Sequence, residues 1–230
     1  MTNAILMASG LGTRMYPLTK TTPKPLIKVK EKPMIETVID ALQNTSIGEI
    51  YVVTGYLKEQ FNYLKNKYSN LYIIENKDYK TVNNISSIYY AKDILEKGPC
   101  YITEADLFIA DENIFNSTPK HSCYFGKMVM GHSDDWVFDT NADGIITRVG
   151  KAGDNKYNMV GLSYFTEPDA KILSRAIDEA YNKAGFETMF WDDVVNNNLD
   201  KLKLKVHPVQ QNQITEIDTV DELNEVLSRL

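Results

Sequence analysis

Between Ala8 and Arg14 the chain reads Ala-Ser-Gly-Leu-Gly-Thr-Arg, and Lys24 follows between Pro23 and Pro25. These residue types suit the handling of phosphate. Gly10 and Gly12 allow close backbone approach and unusual dihedrals, so freed amides can cradle an anion, while Thr13 adds a hydroxyl and Arg14 a cation. The prolines fix the backbone around Lys24 and remove two amide donors, leaving an exposed ammonium that can reach a triphosphate as a point charge. Each part alone has a plainer explanation: Gly-x-Gly occurs in many strand-to-helix turns, and an isolated lysine is ordinarily solvated. Together they favour phosphate binding. The run lacks the Gly-Lys-Ser or Gly-Lys-Thr of a Walker loop, and it is not the dinucleotide fingerprint.

Two acidic groups complement these cations. In Cys100-Tyr-Ile-Thr-Glu-Ala-Asp106, Glu104 and Asp106 lie just past an apolar run, and carboxylates two residues apart share a direction in extended backbone. Mg²⁺ bound to nucleotide phosphates takes one or two protein carboxylates and keeps water elsewhere. Asp218, in Thr215-Glu-Ile-Asp-Thr219, could be a second ligand, or equally the N-cap of the helix that follows.

The composite from Gly10-Leu-Gly-Thr-Arg14 through Pro23-Lys-Pro25 resembles the signature of the sugar-phosphate nucleotidyltransferase superfamily. Tyr56-Leu-Lys-Glu-Gln-Phe61, Asn83-Asn-Ile-Ser-Ser-Ile-Tyr89 and Phe190-Trp-Asp-Asp193 narrow the resemblance to the bacterial CTP:phosphocholine cytidylyltransferases, and the likeness runs in order from Asn3 to the closing helix. It implies transfer of CMP from CTP to phosphocholine, giving CDP-choline and pyrophosphate. It implies Mg²⁺ on Asp106 and Asp218, with Glu104 in support. Arg14 and Lys24 are then the catalytic cations. Ala8, Ser9, Gly10, Gly12 and Thr13 contact the nucleotide, as do Asn83, Asn84 and Ser86, whose plainer role is helix capping. The expected chemistry is in-line attack on the α-phosphorus without a covalent intermediate or a catalytic base, resting on alignment and charge neutralisation.

A quaternary ammonium has no donor hydrogen and is recognised by aromatic faces and nearby negative charge. Trp136, Phe190 and Trp191, with Asp192 or Asp193 close by, are the expected cage, although a tryptophan is more often a core residue. Lys151 is a weaker candidate for the acceptor phosphate, since a surface lysine in a hairpin is commonplace. Around Asp134-Asp135-Trp136 and Lys151-Ala-Gly-Asp154 the sequence departs from the phosphocholine pattern, and its extra carboxylates would suit a primary ammonium such as phosphoethanolamine or 2-aminoethylphosphonate. A sugar-1-phosphate nucleotidyltransferase is a further alternative, and a nucleotide-binding regulator without turnover is the rival outside the enzymes.

Such residues need a scaffold that gathers them at one edge. Short apolar runs at Ala4–Met7, Ile50–Thr54, Leu71–Ile74 and Cys100–Thr103 read as buried strands, separated by helical spacing at 34–42, 61–68 and 88–95. That alternation predicts a doubly wound, mostly parallel α/β sheet, with ligands at its carboxyl edge. The resemblance makes it a Rossmann-like nucleotidyltransferase fold. After Lys120 the pattern turns β-rich, with strands at Cys123–Met130, Trp136–Phe138, Ile145–Val149 and Met159–Phe165 and a hairpin turn at Asn141-Ala-Asp-Gly144. A helix over Glu167–Ala184, a strand over Leu202–Val206 and a helix over Thr219–Arg229 complete the expectation. One domain over residues 1–230 is expected, its first half (about 1–120) for nucleotide and its second (about 121–230) for acceptor.

Composition agrees. A net charge of −6 gives no electrostatic footprint for nucleic acid. No apolar run approaches the ~20 residues of a membrane span, and Met1–Ala8 lacks signal-peptide features, so a cytoplasmic location is expected. Cys100 and Cys123 have no redox or metal spacing and read as buried thiols, and the three histidines are scattered. The partners implied are small molecules, CTP and a phosphorylated amino alcohol or aminoalkylphosphonate; the sequence sets no oligomeric state.

Overall fold

The first strand shows how the two faces of the fold arise. In the computed structural model, which describes residues 1–230, β1 (Thr2–Ala8) sends Ala4, Leu6 and Ala8 into one apolar layer and Ile5 and Met7 into the other. This is the two-residue repeat of a strand buried on both sides. Beyond β1 come three short 3-10 turns (Thr13–Met15, Leu18–Lys20, Lys24–Leu26), then β2 (Lys28–Val29), β3 (Lys32–Pro33), α1 (Met34–Gln43), β4 (Ile47–Thr54), α2 (Leu64–Lys67), β5 (Leu71–Glu75) and α3 (Ile85–Leu95). The chain continues through β6 (Cys100–Glu104), β7 (Leu107–Ile109), β8 (Cys123–Thr140), β9 (Ile146–Phe165), α4 (Glu167–Tyr181), α5 (Trp191–Asn196), β10 (Lys205–Pro208), β11 (Ile214–Glu216) and α6 (Val220–Arg229).

Seven strands form one sheet in the order β10-β8-β9-β6-β1-β4-β5. The strands β6, β1, β4 and β5 are parallel, β9 runs antiparallel to both β6 and β8, and β10 is parallel to β8. Ile35, Val38 and Ile39 of α1 cover one face, while Ile88 of α3, Leu173 of α4 and Val194 of α5 cover the other. The expected doubly wound α/β sheet with a β-rich extension is therefore present. No helix is long and apolar enough to cross a membrane.

Several boundaries differ, for local reasons. The paired short strands expected after Lys120 fuse into two long ones, β8 and β9, which stay paired through repeated register shifts. The polar stretch Gly131–Asp135 looked like a break because this arm projects into solvent and has no apolar core to face. The helix expected over 61–68 is a 3-10 turn (Lys58–Phe61) followed by α2, yet Phe61, Leu64 and Tyr68 are buried as their spacing implied. The late strand is displaced to Lys205–Pro208, and α4 stops at Tyr181.

Two small assemblies do most of the positioning. The antiparallel pair β7–β11 places Glu216 opposite Leu107 and brings the Ile217 amide to the Asp106 carbonyl at 3.4 Å. A third apolar cluster packs Leu223 and Val226 of α6 against Met15, Ile27, Val29 and Met34. The end of the chain is thereby folded back onto the segment that carries the glycine loop and Lys24.

Candidate active site

The glycine loop leaves β1 at the carboxyl edge of the sheet and leads into 3-10 turns, not into an α-helix. Its amides are available because no ladder or helix claims them. Gly12 is the constrained position: its φ is +62°, and a Cβ there would come within 2.9 Å of the Lys24 Cβ. Gly10 has no such clash, since a Cβ would meet nothing within 4 Å. The Thr19 hydroxyl donates to the Gly12 carbonyl at 2.7 Å and holds the turn shut from behind.

The loop borders a cavity of about 390 Å³. Ala8, Ser9, Gly10, Gly12, Thr13 and Arg14 line it together with Lys24, Asn83, Asn84, Ser86, Glu104, Asp106 and Asp218. Every residue expected at the nucleotide and metal positions thus comes to one place. Three polar lining residues were not anticipated, Asn76, Tyr79 and Ser87. Asn76 directly follows β5, and its Nδ2 donates to Ser86 Oγ at 2.8 Å and Ser87 Oγ at 3.3 Å. A polar residue just past an apolar parallel strand is the signal that would have found it.

The acidic groups converge. Carboxylate oxygens of Asp106, Glu216 and Asp218 all lie within 4.8 Å of one another. Glu216 was missed, although it sits two residues from Asp218 in the same motif. Asp218 does not cap α6: Thr219 takes that role by accepting the Glu222 amide at 3.2 Å, and the Glu222 carboxylate in turn accepts the amides of Asp218 and Thr219 at 2.7 and 2.8 Å. The Asp218 carboxylate is left for Arg14, at 2.7 Å, and for Lys24.

Lys24 corrects one expectation. Its side chain is only 8% exposed, pairs with Asp106 Oδ2 at 2.5 Å and also with Asp218 Oδ1. Burial alone lowers an ammonium's pKa, but the two aspartate charges outweigh it and hold Lys24 protonated well above its ordinary value. Burial, followed by Asp106, pushes the Glu104 carboxyl well above the usual range. Glu216 is raised likewise, first by desolvation against its neighbours and then by the Asp106 and Asp218 charges, although part of its side chain reaches solvent. Asp106 Oδ1 is buried without a partner. This orphaned oxygen, the all-carboxylate donor set and the excess of carboxylates over cations fit a hard divalent cation such as Mg²⁺.

The expected acceptor residues divide. Trp136 and Phe190 meet edge to face with centroids 5.4 Å apart, and the Lys151 ammonium lies 5.7 Å and 5.4 Å from their ring centres. Trp191 is not part of this group. It is 3% exposed and packs on Tyr124 and Phe165 in the core, at the spacing of Val194 and Val195 on the buried face of α5. Asp192 is buried as well and accepts the Tyr124 hydroxyl at 2.9 Å; burial raises its carboxyl to about 7 against the lowering effect of that bond. Neither can wall a cage or face a substrate ammonium. Trp191→Ala should therefore reduce stability by about 3–5 kcal/mol, as for a large buried aromatic, with no selective rise in acceptor KM. Denaturant unfolding beside steady-state kinetics checks this, and a selective KM effect at unchanged stability would restore Trp191 to the site.

Comparison with known proteins places these observations in context. The model of the family described as Nucleotidyl transferase matches residues 3–128. A 2-aminoethylphosphonate cytidylyltransferase of Lancefieldella rimae is 58% identical over 96% of this chain and 90% of its own length. A choline-phosphate cytidylyltransferase of Streptococcus pneumoniae is 35% identical over 97% of each chain. The solved structure of a CTP:phosphocholine cytidylyltransferase from Streptococcus pneumoniae superimposes with a TM-score of 0.91 at 32% identity, covering 99% of this chain and 98% of the other.

Proposed function

The chain belongs to the nucleotidyl transferase family, and from that premise we propose that it is a cytidylyltransferase using CTP and 2-aminoethylphosphonate, in place of the phosphocholine expected first. Membership in a family of enzymes sets aside the regulator without turnover. The relative named for the aminoalkylphosphonate shares 58% of aligned residues with this chain, against 35% for the choline-phosphate relative. The observation that carries the choice is the loss of Trp191 to the core. Two aromatic faces remain where a trimethylammonium favours an enclosing set, and those faces already hold a primary ammonium, that of Lys151. A primary ammonium also needs oxygen acceptors for its hydrogens, and the neighbouring arm carries Asp135, beside Asp134 and Asp154, which bond His132.

In this reading a phosphonate oxygen of the acceptor attacks the α-phosphorus of CTP. A new P–O bond forms, the bond from that phosphorus to the bridging oxygen breaks, and pyrophosphate leaves with the electron pair. An ionised phosphonate is already nucleophilic, so no side chain need remove a proton. The loop amides and Thr13 hold the triphosphate, while Lys24 and Arg14 set positive charge beside it. Mg²⁺ held by Asp106 and Asp218, with Glu216 beside them, would neutralise phosphate charge when bound. The first half of the chain then serves the nucleotide and the second the acceptor, with the Asp218 segment returning to the first.

Pyrophosphate release measured for each nucleoside triphosphate against 2-aminoethylphosphonate, phosphoethanolamine, phosphocholine and a sugar 1-phosphate tests this. CTP with 2-aminoethylphosphonate should give the highest kcat/KM, with phosphocholine at least ~10-fold lower, about 1.4 kcal/mol in transition-state binding. A preference for phosphocholine would return the acceptor to the trimethylammonium class.

A further inference from the structure

We infer that Asn84 is a positioning residue, whose side-chain oxygen sets the acceptor-side segment 185–191 against the nucleotide cavity. The inference rests on the proposed reaction only in taking Phe190 to be on the acceptor side.

Asn84 occupies the N-cap position of α3, yet its side chain makes no capping bond there. Its Oδ1 instead accepts the Trp191 amide at 3.0 Å. That N–H opens α5 and is one of the donors a helix cannot satisfy internally. Asn83 works alongside: its amide donates to the Glu187 carbonyl at 2.8 Å, its Nδ2 to the Thr188 carbonyl at 3.3 Å, and its Oδ1 accepts the Asn84 amide at 2.7 Å. Both asparagines also line the cavity. The far end of the segment is held through Tyr181, which packs on Phe186 at 4.4 Å, donates its hydroxyl to Asp78 Oδ2 at 2.5 Å and stacks on Tyr89 of α3 at 3.7 Å. Phe190, next to the pinned amide, presents its ring to Trp136 and Lys151. Releasing the Trp191 amide would shift that ring directly. The job requires only an oxygen acceptor at this position, so aspartate can do it and alanine cannot.

The test compares Asn84→Ala and Asn84→Asp by acceptor KM at saturating CTP, CTP affinity by direct titration, and melting temperature. Asn84→Ala should raise acceptor KM roughly tenfold, the scale of stranding one buried donor, with CTP affinity within about threefold of wild type; Asn84→Asp should restore acceptor KM. If Asn84→Ala does not fold, Asn84→Ser, whose hydroxyl falls short of the Trp191 amide, takes its place. Loss of CTP affinity in step with acceptor KM, or an aspartate variant as impaired as alanine, would overturn the inference. The acceptor is whichever one the wild type prefers, so failure of the aminoalkylphosphonate assignment appears in the wild-type panel and not in this comparison.

Discussion

Asp106→Asn should lower turnover at least ~10³-fold in saturating Mg²⁺ while leaving the fold intact. The substitution keeps side-chain volume and removes one charge at the point where β6 hands the chain to β7. Asp106 Oδ1 is buried with no partner, and Oδ2 is held by Lys24. An amide in that place can still bond the ammonium through its carbonyl, but it offers a cation a weaker, neutral donor. Removing a carboxylate also relieves repulsion with Glu104 and Glu216, whose carboxyls are raised partly by Asp106. The melting temperature should thus fall little or rise slightly. Pyrophosphate release followed across a Mg²⁺ titration, beside thermal melts, checks both parts. Wild-type turnover at saturating Mg²⁺ would remove Asp106 from the ligand set.

What the sequence made legible was local. The phosphate loop could be read because the residue types, their spacing and the preceding strand all lie within one short stretch. The parallel core could be read because β1, β4 and β6 contain the continuous apolar runs Ala4–Met7, Ile50–Val53 and Cys100–Ile102, as strands buried on both faces must. Some misses had a usable signal. Thr219-Val-Asp-Glu222 is a capping box, which assigns the cap to Thr219 and frees Asp218. Trp191 with Val194 and Val195 follows helical spacing and marks a core face. Other features had no local signal. The burial of Lys24 depends on β11 pairing with β7 and on α6 closing over Met15 and Met34, contacts between opposite ends of the chain. The bond from the Trp191 amide to Asn84 likewise joins distant segments, so nothing local to Asn83-Asn84 could point past the expected nucleotide contact, or the plainer cap of α3, to this tie.

Lys24→Ala should cost both activity and stability, where an exposed loop lysine would cost activity alone. Its ammonium is enclosed between Asp106 and Asp218, and the other cation nearby, Arg14, is largely solvated. Removing one partner from a buried ion pair strands the other charge, and the usual penalty is about 3–5 kcal/mol. Here two carboxylates lose their main counter-charge together, although both remain partly open to the cavity, which places the loss toward the lower end of that range. Turnover should fall by ~10²–10³-fold, because positive charge beside the triphosphate is lost where it accumulates in the transition state. Mg²⁺ should raise the melting temperature of the variant more than that of the wild type, since a divalent ion can take over the counter-charge of the same aspartates. The measurements are kcat with both substrates saturating and thermal melts with and without Mg²⁺. A variant that melts like wild type in the absence of Mg²⁺ would show that the ion pairs add nothing to folding, and one that keeps its turnover would take Lys24 out of the catalytic set.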